Sequence, residues 1–133
     1  MDLNLRLIHA RDFLSTSPEG KVDLKTSKEL LLRLAFKNAE PNQYDILIDI
    51  RHTAGHLSFA DIAELVEVMV EHRELFRSKL AILARPGRWI DNAKFMELYA
   101  NNRGFQVRAF ENFEDTIYWL MTSTELPFEG NIS

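Results

Sequence analysis

The side chains best suited to chemistry gather in two places. Asp49, Arg51, His52, His56 and Ser58 lie at or just beyond the end of the apolar run Ile46-Leu47-Ile48. Arg85, Arg88 and Trp89 follow a second such run, Leu80-Ala81-Ile82-Leu83-Ala84. Asp49 stands where a general base would stand, yet that work needs a partner carboxylate or nucleophile at readable spacing, and none is visible. Its expected role is to accept bonds from loop amides or from Arg51. Three guanidinium groups that each follow a strand end would suit a phosphate or carboxylate if those strands are parallel neighbours. The competing reading is that they serve solubility, or pair with Asp49 and Glu111. The expectation carried forward is weak anion binding by Arg51, Arg85 and Arg88 beside the N-terminus of the helix that starts after Ser58.

His52 and His56 are four apart. On a helix that spacing would turn two imidazoles toward one metal ion. Gly55 lies between them and the stretch reads as loop, so no common direction follows, and the remaining ligands of a metal site are not identifiable. No metal and no cofactor is expected. His9 and His72 read as surface or partly buried residues of a strand and a helix. Ser58 has two readings. One is a plain N-cap, whose hydroxyl takes an orphan amide of the helix. The other is a phosphorylation site or an anion contact, favoured by the same free amides and the helix dipole. Trp89 reads as an exposed aromatic in the loop after Arg88, placed to line a ligand groove or meet a partner. Trp119, Tyr118 and the nine phenylalanines read as mostly core.

These residues need elements to hold them. Leu3, Leu5 and Leu7 alternate with polar residues as in a half-buried strand, and Phe13-Leu14-Ser15 continues it or starts another. Ser17-Pro18-Glu19-Gly20 reads as a turn, with Val22-Asp23-Leu24 returning as a short antiparallel strand. Thr26 with Glu29 reads as a capping box ahead of Leu30, Leu31 and Leu34, and Pro41 stops that helix. Residues 46–50 and 80–84 read as interior parallel strands, apolar on both faces. Ser58 with Asp61 resembles a second capping box, followed by Phe59, Ile62, Leu65, Val66 and Met69 at helical spacing. A helix beginning near Asp91 carries Phe95, Met96 and Tyr99 toward Arg103 and Gly104. Residues 105–110 alternate as a strand, and Asn112 caps a last helix carrying Ile117, Trp119, Leu120 and Met121. The fold class is α/β: a single domain over residues 1–123 with a mixed, mostly parallel sheet of about five strands and about four helices. Residues 124–133, with Pro127 and Gly130, read as a C-terminal tail.

Composition narrows the function. A chain of 133 residues with 46% apolar and 27% charged residues is an ordinary single domain able to bury a core. Its net charge of −4 supplies no basic field for nucleic acid. The chain has no cysteine, so disulfides and thiolate chemistry are excluded. No run reaches the ~20 apolar residues of a membrane span, and a cytoplasmic, soluble protein is expected.

Gly20-Lys21-Val22-Asp23 before a capped helix, then Leu47-Ile48-Asp49-Ile50-Arg51, a loop and a second capped helix, resemble the STAS domain of anti-sigma factor antagonists. With Asn101-Asn102-Arg103-Gly104-Phe105-Gln106-Val107-Arg108-Ala109-Phe110 and Glu114-Asp115-Thr116-Ile117-Tyr118-Trp119-Leu120, the chain resembles more closely the small bacterial SpoIIAA-like, STAS/SEC14-type proteins. The antagonists carry Asp-Ser-Ser-Gly at the start of the second helix. Aligned without gaps from Asp49, this chain has Leu57-Ser58-Phe59-Ala60 there, and only the serine is kept. The resemblance implies a non-enzymatic regulatory or protein-interaction domain whose partner is another protein or, in a homodimer, a second copy of the chain. Its SEC14 side implies the alternative, a binder of a small anionic or amphipathic, lipid-like molecule at the carboxyl edge of the sheet.

Overall fold

The computed structural model describes residues 5–8, 13–37 and 44–122. Leu3, His9, Pro41 and the tail 124–133 lie outside them. Strands β1 (Leu5–Ile8) and β2 (Phe13–Thr16) pair antiparallel. Then come β3 (Gly20–Lys21), α1 (Leu24–Lys37), β4 (Asp45–Asp49), β5 (Thr53–Ala54) and α2 (Phe59–Glu71). A 3-10 turn at Arg73–Leu75 leads to β6 (Lys79–Leu83), α3 (Arg88–Asn101), β7 (Gln106–Phe110) and α4 (Phe113–Met121). The main sheet runs β1-β2-β4-β6-β7, and every pairing after the first is parallel. The strands expected at 46–50 and 80–84 are thus β4 and β6, each one residue earlier, neighbouring and interior as their two-sided apolar pattern requires.

Alternation along the strands sorts the core into two layers. Ile46, Ile48, Leu80, Ile82, Val107 and Ala109 face α1, α2 and α3. Leu47, Ala81 and Leu83 face α4 through Leu120. The sequence pattern errs on the helix surfaces. Phe59 is 56% exposed and stacks on Phe95 with ring centroids 4.3 Å apart. Tyr118 is 74% exposed, and Phe36, Phe113 and Met121 are also exposed rather than core.

Two local expectations are corrected. Val22-Asp23-Leu24 is not an antiparallel strand. Gly20 and Lys21 pair in parallel with Thr53 and Ala54, a separate two-stranded ladder. Leu24 already belongs to α1, because Asp23 rather than Thr26 is the cap: its carboxylate accepts the Thr26 amide at 2.8 Å and the Thr26 hydroxyl at 2.9 Å. A short acid outcompetes threonine there because its charge meets the positive end of the helix.

At the far edge of the sheet, α3 lies against β7 and supplies its outward hydrogen bonds. The Asn101 side chain accepts the Val107 amide at 2.9 Å and donates to the Val107 carbonyl at 3.0 Å. Glu97 accepts the Ala109 amide at 2.8 Å, and the Ala100 carbonyl accepts that of Phe105. Lys79, only 4% exposed, donates from Nζ to the carbonyls of Trp119 and Thr122 at the end of α4. A buried ammonium is tolerated there because orphan helix carbonyls take its protons. Burial raises the Asp45 carboxyl above the ordinary aspartate range, against the opposing amide bond and charge of Lys79.

Candidate functional site

The carboxyl ends of β4 and β6 meet the N-terminal halves of α1, α2 and α3 at one edge, where open α/β sheets hold ligands. Residues 51–57 cross this edge as a strap. Thr53 turns it, with both its amide and its hydroxyl on the Ile50 carbonyl. Gly55 has φ 75°, a left-handed conformation that a side chain strains. The strap is pinned by the segment after β6 and by the start of α3. Arg85 donates to the Thr53 carbonyl, the Trp89 indole to the Gly55 carbonyl at 3.0 Å, and Asn92 to the Leu57 carbonyl at 2.9 Å. Arg88 meets Nδ1 of His56 at 3.2 Å.

Beneath the strap is an apolar cleft of about 120 Å³. Leu30 and Leu31 of α1 form one wall, and Ile62 and Leu65 of α2 another. Trp89, Ala93 and Met96 of α3 close the third side over a floor of Ile48 and Ile82. The polar groups at it are few: Ser27, Thr53, His56 and Asn92. None of the lining side chains is an acid, an arginine or a lysine. His56 is the one exposed lining residue and so marks the mouth.

The residues singled out in the sequence come to this edge with different roles. Asp49 is 8% exposed and takes Arg51 in a two-point bond, Nε to Oδ1 and Nη2 to Oδ2 at 2.9 Å each, with the Arg51 amide on Oδ1 at 3.0 Å. Burial pushes this carboxyl up. The Arg51 bonds, with the Arg51 and His52 charges, outweigh burial and hold it below the ordinary aspartate range. The bond to Asp49 likewise raises the Arg51 guanidinium. Arg85 stacks on the Trp89 ring at 4.0 Å besides its bond to the strap. Each of the three guanidiniums thus has a protein partner, and those partners differ. His52 is exposed in the turn after β4. Ser58 caps α2: its hydroxyl accepts the Asp61 amide at 3.0 Å while the Asp61 carboxylate accepts the Ser58 amide at 3.3 Å.

Trp89 and Arg88 require a correction. They are not loop residues: α3 begins at Arg88, and Trp89 is half-buried in the cleft wall. Gly87, at φ 94° and ψ −145°, makes the abrupt start that only glycine adopts readily. The spacing Trp89, Ala93, Met96, Ala100 held the signal, because it is already helical before Asp91. Leu30, Ile62, Leu65 and Met96 were legible only as core, since an apolar cleft and an apolar core use the same residue types.

A crystal structure of a DUF3478-family protein from Shewanella loihica PV-4, described as having a SpoIIAA-like fold, superposes with a TM-score of 0.58 at 19% identity. The match covers 90% of this chain and 92% of that one. The fold is SpoIIAA-like. No protein-family model and no curated protein matches the sequence. Among the described residues, no helix is long and apolar enough to cross a membrane.

Proposed function

We propose that this SpoIIAA-like chain is a non-enzymatic binding and regulatory domain of STAS type that receives the apolar body of a small amphipathic molecule at its carboxyl edge. The observation that carries this reading is the cleft, apolar on three helical walls and fronted by one polar strap. An engineered apolar cavity of ~150 Å³ takes benzene, so a body of about six carbons is the right scale here. Asp49 is committed to Arg51, which argues against a general base and supports the non-enzymatic assignment.

A 1H–15N NMR titration with 1-hexanol tests the reading. The amides of Ile50, Gly55, Ala93 and Met96 should move together and saturate. Ala93→Leu, which fills the cleft, should abolish the shifts while keeping a dispersed spectrum. Unmoved cleft amides in the parent protein at millimolar hexanol would remove the basis of this reading.

The protein-interaction reading has its own support, the exposed Phe59 stacked on Phe95 beside exposed Leu98 on the outer surface of α2 and α3. Solvent-facing aromatics of this kind are favoured at partner contacts, including homodimer contacts. Phe59→Ser should shift the sedimentation of the protein toward smaller species if that face is a dimer contact. Phosphorylation of Ser58 belongs to this regulatory reading, and mass spectrometry of protein from its native cell would detect it.

A further inference from the structure

The mouth of the cleft has a chemistry of its own. A guanidinium has only donors, so the Arg88 contact at 3.2 Å requires His56 Nδ1 to accept. That fixes the neutral imidazole in the tautomer with its proton on Nε2. Among the described residues Nε2 has no protein partner, so the exposed lining residue offers a hydrogen-bond donor. Arg88 stands behind it, exposed and without an ion pair among the described residues. On the other side of the strap the Lys21 side chain runs along Gly55, where a methyl carbon added to the glycine would sit 3.5 Å from Lys21 Cγ. Lys21 likewise has no ion pair among the described residues. An apolar cleft with no charged lining therefore opens at one oriented donor, with the Arg88 guanidinium bonded to the same imidazole and the stem of Lys21 along the strap.

Resting on the cleft reading, we infer that the ligand is a small monocarboxylate of about six carbons: its alkyl chain lies in the cleft and its carboxylate meets His56 Nε2–H, with Arg88 and Lys21 supplying positive charge. A neutral alcohol of the same length fits the cleft but uses neither cation. A dianionic phosphate head would need a multidentate cradle of donors, and the other guanidiniums of this edge are held by Asp49, Thr53 and Trp89.

The experiment compares hexanoate, hexanol and hexyl phosphate by NMR titration of the full chain, with Arg88→Gln and His56→Phe as variants. Hexanoate should bind about fivefold or more tightly than hexanol, and that preference should shrink as salt is added. From butanoate to hexanoate, each methylene should tighten binding by about fourfold, the factor expected for one buried CH₂. Arg88→Gln should bring hexanoate down to the level of hexanol and leave hexanol unchanged, and His56→Phe should remove the preference for hexanoate over hexanol. Equal affinities for hexanoate and hexanol, or variants that weaken both alike, would overturn the carboxylate assignment and leave the cleft reading standing. Preference for hexyl phosphate over hexanoate would also overturn it. If none of the compounds moves the cleft amides, the cleft reading fails, and the carboxylate assignment falls with it.

Discussion

Asp49 and Arg51 are the strongest electrostatic feature of the carboxyl edge, and Asp49→Asn isolates the charge. The parent carboxylate accepts three bonds from Arg51, two from the guanidinium and one from the backbone amide, at 2.9–3.0 Å. Asparagine keeps one acceptor oxygen, so the Nη2 bond is lost and the other two lose the carboxylate's charge. Bonds to charged groups contribute ~1.5–3 kcal/mol each, and breaking a fully buried pair costs ~3–5 kcal/mol. Here the aspartate side chain is 11% exposed but that of the arginine is 36% exposed, so solvent screens one partner substantially. The expected loss is about 1–2 kcal/mol at pH 7, read as a lower urea midpoint with an unchanged slope.

The pH dependence gives the sign. The Asp49 carboxyl is held below the ordinary aspartate range in the folded protein. Its contribution is therefore fully present above the unfolded pKa of about 3.9 and disappears as pH falls through the lower folded value. The gap between parent and Asp49→Asn should be widest near neutrality and should close in acid. A variant as stable as the parent at pH 7 would refute the argument. So would a gap that stays constant from neutrality into acid, because it would mean that the variant lacks the right shape rather than the charge.

Three further outcomes follow from the helix termini. Ser58→Ala should lower stability by ~0.5–2 kcal/mol in urea titration, because the Asp61 amide loses its acceptor. Ser58→Asp should recover most of that loss, since aspartate caps as well and its charge suits the helix start. Asn101→Ala should expose the Val107 amide and carbonyl, and hydrogen exchange at Val107 should accelerate well beyond that at Leu80. Equal exchange in parent and variant would show that Asn101 does not hold the edge.

The strand–helix alternation, the interior pair β4 and β6, and the caps at Ser58 and Asn112 were legible because each depends on local chemistry. A two-sided apolar run reports burial on both faces, and a serine before an acid three residues on reports a capped helix. The errors have physical reasons too. Pro86-Gly87 reads as the start of a loop, but Gly87 uses its freedom to begin α3 at once, so Arg88 and Trp89 swing back onto the strap. The ladder between Lys21 and Ala54 joins segments far apart in sequence, and two residues per strand leave no period to read. Phe59 keeps helical spacing with Ile62 and Val66, yet it stacks on a neighbouring helix instead of entering the core. The cleft itself was invisible because a gap between apolar side chains leaves no trace in their identities.

The contact between α3 and β7 bears on how copies of this chain can meet. A parallel sheet with a bare edge recruits strands from other molecules, since its free amides are a ready template. Here the amides of Phe105, Val107 and Ala109 are already taken by Ala100, Asn101 and Glu97, from one continuous stretch of helix. An incoming strand would have to break several bonds at once before forming its first. The outward amides of the last strand have been answered by two side chains and one carbonyl of α3. Strand addition at that edge is opposed by these bonds, which leaves the helical faces and β1 as the described surfaces through which copies can meet.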